Sequence, residues 1–140
     1  MKKSIKILFV ALVSVLMMTS ASEGDKGIAF ADISLDEAKA MSKETGKLIF
    51  IDCYTDWCGP CKRMAATSFK DEKVGEVFNK KFINLKIEME KNPIGVELAK
   101  RYRVRAYPTL LVIDSEGTLI KQVIGMQSSN GLITMAKSIQ

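Results

Sequence analysis

The stretch FIDCYTDWCGPCKR, residues 50–63, contains all three cysteines of the chain. Cys58 and Cys61 flank a Gly-Pro dipeptide, and Cys53 lies five residues before Cys58. A Cys-x-x-Cys pair of this kind serves as part of a metal site, as a redox centre or as a structural disulfide. The rest of the sequence must decide among these three uses.

The chain has few candidate ligands for a metal site. A structural zinc site needs four ligands, but the sequence has no histidine and only Cys53 besides the pair. We therefore predict no metal site. The absence of histidine also removes Ser-His and Cys-His nucleophilic catalysis of the familiar kinds.

Redox chemistry fits the local pattern better. Residues 47–54 are rich in apolar and β-branched residues, which is typical of a strand covered on both faces. A helix is predicted from Gly59, so Cys58 should lie at its N-terminus, where free amides and the helix dipole favour a thiolate. Pro60 is tolerated in a first helical turn, and the spacing brings Cys61 back toward Cys58.

This arrangement assigns different roles to the two thiols. We expect Cys58 to be the exposed attacking thiol and Cys61 the shielded thiol that resolves the mixed disulfide. The alternative is an inert disulfide in a secreted protein. Such a bridge would close a loop of only a few residues, where the entropic stabilisation is smallest.

The first residues of the chain have the pattern of a secretory signal peptide. Three lysines precede the uncharged run ILFVALVSVLMM, residues 7–18, and small residues then place Thr19 and Ala21 at positions −3 and −1 of a cleavage site. The apolar run is shorter than the ~20 residues that span a bilayer. We therefore predict a signal peptide over residues 1–21 and one domain over residues 22–140, with no stable membrane anchor.

The charge of the chain excludes a nucleic-acid binder. The formal net charge is +5, and removal of the three leader lysines leaves +2, because no acidic residue lies in residues 1–21. The remaining basic residues are interspersed with acidic ones, as on a solvated surface.

The predicted elements alternate between strands and helices, which indicates a single α/β domain with a mixed sheet. Helix starts are marked by a capping box at Ser34 and Glu37 and by Asp71, Asn92 and Ser128 or Ser129. Met41 is expected to face inward. The predicted strands are residues 28–33, 47–54, 82–89, 109–114 and 118–124, and the predicted helices are 35–45, 59–69, a segment after 71, one from 93, and one over 130–139.

The motif DWCGPCKRM, residues 56–64, resembles the active site of the thioredoxin family, whose hallmark is Trp-Cys-Gly-Pro-Cys-Lys. The similarity extends from about Lys47 to Gly125. It implies the thioredoxin fold, a three-layer α/β/α arrangement around a central mixed sheet. The stretch over residues 68–90 is similar to the secreted branch of the family, which includes the C-terminal domain of the membrane reductase DsbD.

The resemblance also implies roles for residues beside the cysteines. Asp52 matches the family's buried aspartate, and Lys86 matches the lysine that pairs with it. Burial should raise the pKa of Asp52, which makes it a proton acceptor for Cys61 through water. Cys53 should face opposite to Asp52 on the strand and act as a small buried hydrophobe.

A substrate-binding surface is implied as well. Its expected members are Trp57, Gly59, Pro60, Tyr107 and Pro108. Pro108 matches the family's cis-proline, which exposes the backbone of the preceding residue to a substrate peptide. At that preceding position many thioredoxins have isoleucine, whereas this chain has an aromatic residue. A glycine at position 125 matches one near the substrate groove.

These observations predict a periplasmic or otherwise secreted thiol–disulfide oxidoreductase that needs no cofactor and acts as a monomer. Its expected partners are disulfide-containing envelope proteins and a membrane thiol-transporting reductant of the DsbD type, because a reductant in an oxidising compartment needs an electron supply. The alternative is a thioredoxin-like module that binds peptides without significant turnover.

Overall fold

The computed structural model describes residues 26–140. The predicted signal peptide, residues 1–21, and its cleavage site lie outside the described residues, so the predicted domain boundary stays a prediction. No helix within residues 26–140 is long and apolar enough to cross a bilayer.

The described residues form five α-helices and four β-strands in the order α-β-α-α-β-α-β-β-α. A 3₁₀ turn, Ser68–Lys70, lies between the second and third helices. The helices are α1 (Leu35–Thr45), α2 (Gly59–Ala66), α3 (Glu72–Lys81), α4 (Pro93–Arg101) and α5 (Ser129–Lys137), and the strands are β1 (Leu48–Tyr54), β2 (Phe82–Glu88), β3 (Thr109–Ile113) and β4 (Leu119–Ile124).

The four strands form one mixed sheet in the order β2-β1-β3-β4. β1 runs parallel to β2 and antiparallel to β3, and β3 and β4 form an antiparallel hairpin. β1 is therefore a central strand, and its five interior residues are buried. This agrees with the largely apolar run in the sequence, because a strand covered on both faces shows no polar alternation.

Helices cover both faces of the sheet. On one face, Leu35 and Ala38 of α1 and Leu98 of α4 pack against the odd-numbered residues of β1 and β2. On the other face, side chains of α2, α3 and α5 pack around Phe50 of β1. The three-layer α/β/α arrangement predicted from the resemblance is thus confirmed.

The predicted helix starts are confirmed by their hydrogen bonds. The Ser34 hydroxyl accepts from the Glu37 amide, and the Glu37 carboxylate accepts from the Ser34 amide, which completes the capping box. Asp71, Asn92 and Ser128 each accept a backbone amide of the helix that follows. Each cap satisfies amides that have no intrahelical partner.

Three local predictions were wrong. Residues 28–33 form no strand; a single bridge joins Phe30 to Asn84, because the Ile28 amide donates instead to Phe69. α2 ends at Ala66 rather than 69, since the next residue leaves helical dihedral angles. Met41 is 43% exposed, because Ser42 takes the inward position on α1 and donates to the Lys47 carbonyl oxygen.

Candidate active site

The Cys58–Cys61 pair lies where β1 gives way to α2. Cys58 is the N-cap of α2, which begins at Gly59 and has Pro60 in its first turn. The two sulfurs form a disulfide with a Cα–Cα distance of 5.3 Å. The Cys58 sulfur also accepts a hydrogen bond from the Cys61 amide at 3.2 Å. The sulfur of the first cysteine is thus held against the positive end of the helix, which favours its thiolate after reduction.

The exposure of Cys58 differs from the prediction. Cys58 is 2% exposed and Cys61 is 4% exposed, so the first cysteine is not the open thiol that we expected. The reason is local, because its sulfur is bonded to Cys61 and turned toward the helix amides. Access to the sulfur in this oxidised form is therefore limited to a small surface.

Asp52 is a buried acid on the central strand. Its residue is 1% exposed, and neither carboxylate oxygen has a hydrogen-bond partner among residues 26–140. Burial raises the pKa of Asp52 to about 7, although the nearby charge of Lys86 opposes that rise. The burial and the raised pKa agree with the expectation from the sequence.

Lys86 lies opposite Asp52 in the register of β1 and β2 but does not form a direct ion pair with it. Within the described chain, the ion pairs are Lys26–Glu72 and Lys91–Asp56. The Lys86 ammonium lies 4.7 Å from the ring centroid of Tyr54, as a cation–π contact. Lys86 therefore acts on Asp52 as a nearby charge that opposes the rise in the pKa of Asp52.

A cavity of about 190 Å³ opens beside the second cysteine. Cys61, Lys86 and Tyr54 line it, together with residues of the loop between β1 and α2. This volume admits several water molecules, and its lining offers polar partners for them. Water can thus reach Cys61 from the side that faces Lys86 of β2.

Cys53 lies on the opposite face of β1, as predicted. It is a free cysteine with no exposed surface, and it belongs to the core cluster that includes Ile51 and Leu98. Burial, and secondarily the charge of Asp52, raises the pKa of the Cys53 thiol. A thiol that is buried and protonated is inert, so its place in the core agrees with a packing role.

The predicted substrate-binding residues differ in exposure: Trp57 is exposed, Tyr107 is half-buried and Pro108 is buried. Trp57 is 66% exposed, and its ring lies 6.1 Å from the Tyr107 ring, edge to face. The Tyr107–Pro108 peptide bond is cis, as predicted. Gly125, at φ +92°, donates its amide to the Pro108 carbonyl oxygen at 2.8 Å. The expected groove residues are therefore neighbours in the structure.

The loop after β2 adds residues that the sequence reasoning missed. The Trp57 indole nitrogen donates to Glu90 at 2.9 Å, and Lys91 forms an ion pair with Asp56 at 2.6 Å. The signal was available, because the ends of parallel neighbouring strands lie at the same edge of a sheet. Charged residues directly after β2 therefore had to lie beside the loop after β1.

The described residues offer no alternative metal chemistry. Within residues 26–140, no three His, Cys, Asp or Glu side chains are grouped so that they could hold a metal ion. A disulfide at a helix N-terminus, with a buried acid of raised pKa on the adjoining strand, can exchange electrons and protons with other thiols.

The chain is similar in sequence to proteins of known families. Residues 35–140 match the sequence model of a family described as a thioredoxin-like domain. The chain is 31% identical over 120 residues to the H-type thioredoxin of Oryza sativa subsp. indica, which covers 82% of this chain and 90% of that protein. It is 27% identical over 104 residues to the thiol:disulfide interchange protein DsbD of Haemophilus influenzae, covering 72% of this chain but only 18% of that protein.

A solved structure is also similar. It is the solution structure of a candidate disulphide isomerase from Bacteroides thetaiotaomicron, with a TM-score of 0.70 and 47% identity. The match covers 79% of this chain and 91% of that one.

Proposed function

Because this chain belongs to the thioredoxin-like family and is a thiol–disulfide oxidoreductase with a Cys-x-x-Cys pair, we propose that it reduces or exchanges disulfides in proteins of the bacterial envelope. The observation that carries the proposal is the Cys58–Cys61 disulfide at the N-terminus of α2. An inert disulfide has no need of a helix N-terminus, whereas an attacking thiolate is stabilised there.

In the first step, the reduced protein attacks its substrate. The Cys58 thiolate bonds to one sulfur of the substrate disulfide, and the other substrate sulfur leaves as a thiolate that takes up a proton. The product is a mixed disulfide between Cys58 and the substrate. The amide of Cys61, which lies 3.2 Å from the Cys58 sulfur in the oxidised protein, is placed to stabilise the thiolate before attack.

In the second step, Cys61 resolves the mixed disulfide. Its thiol loses a proton and attacks the Cys58 sulfur, which releases the substrate's remaining sulfur as a thiol. The substrate has then gained two electrons and two protons, and the protein has the Cys58–Cys61 disulfide. Asp52 is our candidate for the proton acceptor, because a pKa of about 7 lets it take a proton near neutral pH. Water in the cavity beside Cys61 would carry the proton, and Lys86 would tune the acid.

The surface around the disulfide is the proposed substrate site. Trp57 and Tyr107 present aromatic faces, and Pro108 marks the backbone that a substrate peptide would pair with. Gly59 and Pro60 keep the turn beside the cysteines free of bulky side chains. A peptide lying across these residues would bring its disulfide to Cys58.

The proposed location rests on the leader-like pattern of residues 1–21. After cleavage, a domain of residues 22–140 would act in the periplasm or outside the cell as a monomer without a membrane anchor. A reductant in such an oxidising compartment needs re-reduction. We assign that task to a membrane thiol transporter of the DsbD type, and the similarity to a segment of DsbD supports this assignment.

Trapping of substrates tests the proposal directly. In a Cys61→Ser variant the mixed disulfide cannot be resolved, so envelope proteins should accumulate in covalent complexes at Cys58. A matched Cys53→Ser, Cys61→Ser variant should trap the same partners, since Cys53 is buried. Recovery of no envelope protein, or trapping that also occurs in a Cys58→Ser, Cys61→Ser variant, would overturn the proposed function.

The reduction potential of the Cys58–Cys61 pair shows the direction of electron flow. Equilibration with glutathione should give a potential near the value of about −270 mV that is typical of thioredoxin. A potential near the value of about −120 mV that is typical of the oxidant DsbA would show that the protein oxidises its partners. Fractionation of cells, with the mass of the mature protein, tests export and cleavage before residue 22.

A further inference from the structure

A groove of about 540 Å³ lies between α4 and the segment that leads to Tyr107. Its floor is aliphatic, formed by Met89, Val96, Ala99 and Val104. Val96 is 40% exposed although it is a large aliphatic side chain. Met89 and Val104 are buried and Ala99 is half-buried, so Val96 is the apolar side chain that the groove offers to another molecule.

The rim of the groove is basic. Lys100, Arg103 and Arg105 line it, and all three are exposed. None of them forms an ion pair with a carboxylate of residues 26–140. The one carboxylate that lines the groove is Glu90, which accepts the hydrogen bond of the Trp57 indole. The rim therefore presents three cations that have no direct ion-pair partner among residues 26–140.

Arg103 occupies a backbone position that usually belongs to glycine. α4 ends with the Tyr102 amide bonded to Leu98 and the Val104 amide bonded to Ala99, and Arg103 between them has φ +54°. Glycine is preferred at this position of a helix C-terminus, because other residues are strained there. Its side chain also lines a second groove, of about 450 Å³, beside Leu119 and Gln122. The strained backbone at residue 103 therefore carries a cationic side chain that lines both grooves.

The groove adjoins the proposed substrate site. Glu90 belongs to both, since it lines the groove and holds Trp57. Arg105 lies two residues before Tyr107, whose ring contacts Trp57. A polypeptide whose disulfide lies at Cys58 can therefore extend past Trp57 and Tyr107 into the groove beside α4.

We propose that this basic groove binds an acidic segment of the disulfide-bearing polypeptide, and so selects substrates with glutamate or aspartate beside the reactive disulfide. The inference rests on the proposed function, because it concerns the substrates of the same site. A polypeptide fits better than a nucleic acid, since the lining residues include no aromatic ring for base stacking. Aliphatic side chains of the segment would cover Val96, and its carboxylates would meet the rim.

Two matched peptides test the proposal. Each has the same intramolecular disulfide, but one is flanked by glutamates and the other by glutamines. The purified protein should reduce the glutamate peptide with a kcat/KM about tenfold higher at low salt, because each of two or three exposed charge contacts contributes about two- to threefold. The preference should fall as salt is added.

Variants locate the effect in the groove. A Lys100→Gln, Arg105→Gln variant should lower the preference for the glutamate peptide to about two- to threefold or less, because only Arg103 of the rim cations remains, while the kcat/KM for the glutamine peptide stays at the wild-type value. The control is Lys73→Gln, Lys80→Gln, which removes the same charge from exposed positions of α3 on the other face of the sheet. The control should keep the full preference for the glutamate peptide.

Three outcomes would overturn the inference. Equal kcat/KM values for the two peptides in the wild-type protein would show that the groove does not select acidic substrates. Loss of preference in the α3 control would show that net charge, not the groove, is responsible. Inhibition by a single-stranded oligonucleotide as strong as that by a glutamate peptide lacking cysteine would show that the rim binds any polyanion.

The outcome for the glutamine peptide separates this inference from the proposed function. If that peptide is reduced but the glutamate peptide is not preferred, only the groove assignment fails. If neither peptide is reduced, the oxidoreductase function fails, and the inference fails with it.

Discussion

Replacement of Asp52 by asparagine should stabilise the oxidised protein above neutral pH. The carboxyl group is 1% exposed and lacks a hydrogen-bond partner among the described residues. Burial raises its pKa from 3.8 to about 7, with Lys86 opposing the rise. An acid whose pKa is raised by folding favours the folded state only while it is protonated. Its stabilising contribution is therefore complete below pH 4 and is lost as the pH rises through about 7.

The size of the effect follows from the shift in pKa. The rise in the pKa from 3.8 to about 7 corresponds to about 4 kcal/mol of free energy of unfolding, since a tenfold change in an equilibrium constant is worth about 1.4 kcal/mol. Asparagine carries no charge, but its amide would also lack hydrogen-bond partners, at a cost of about 1–2 kcal/mol. The Asp52→Asn variant should thus exceed the wild type by about 2–3 kcal/mol at pH 8, and fall about 1–2 kcal/mol below it near pH 4, where only the cost of the amide remains.

Guanidinium chloride unfolding of both oxidised proteins, measured from pH 4 to pH 9, tests this reasoning. The difference in free energy of unfolding should grow by about 1.4 kcal/mol per pH unit between pH 4 and 7, and then level off. The other carboxylates titrate alike in both proteins, so the difference isolates position 52. Two curves that stay parallel over the whole range would refute the raised pKa. The same variant should slow disulfide reduction by about 10- to 100-fold at pH 7 if Asp52 accepts the proton of Cys61.

Three further substitutions test the buried thiol on β1, the hydrogen bond to Trp57 and the strained residue after α4. Cys53→Ala should lower the free energy of unfolding by about 1–2 kcal/mol without changing the rate of insulin reduction, since the thiol is buried in the core; a lost activity would contradict the packing role. Glu90→Ala should free the indole of the single tryptophan, visible as a changed fluorescence spectrum, and lower kcat/KM by about fivefold through the loss of one hydrogen bond; an unchanged spectrum would show that Glu90 does not hold Trp57. Arg103→Gly should relieve the strain at φ +54° and raise the free energy of unfolding by about 0.5–1 kcal/mol, measured by denaturant titration; a less stable variant would show that the arginine contributes more by contact than it costs by strain.

Most of the fold could be predicted from local signals in the sequence. The run of β1, rich in apolar and β-branched residues, identified a strand with two covered faces. The capping residues at Ser34, Asp71, Asn92 and Ser128 or Ser129 identified four helix starts. These signals are local, because a cap or a covered strand is defined by neighbours in the chain. The disulfide pair and the burial of Asp52 followed from the motif and its position on that strand.

The errors arose where the outcome depends on tertiary contacts. Residues 28–33 have the composition of a strand, but competition for the Ile28 amide by the Phe69 carbonyl oxygen leaves a single bridge. Met41 and Ser42 could each face the core, and the hydrogen bond from Ser42 to Lys47 selected the smaller residue. The resemblance implied that Lys86 pairs with Asp52, but the described residues show no ion pair between them, and the ammonium lies over the Tyr54 ring.

The contacts of Glu90 and Lys91 show a further limit. Both residues lie more than thirty positions from their partners Trp57 and Asp56. Only the parallel pairing of β1 with β2 brings them together. Predicting each helix and strand separately does not reveal such contacts. Predicting the order of strands in the sheet first would have placed the loop after β2 beside the loop after β1.

The catalytic role of the Cys58–Cys61 pair is tested most directly by insulin reduction in the presence of dithiothreitol, followed as turbidity. The wild-type protein should shorten the delay before precipitation, and a Cys58→Ser variant should leave it at the uncatalysed value. Equal rates for the two proteins would contradict the account and indicate a module that binds peptides without turnover.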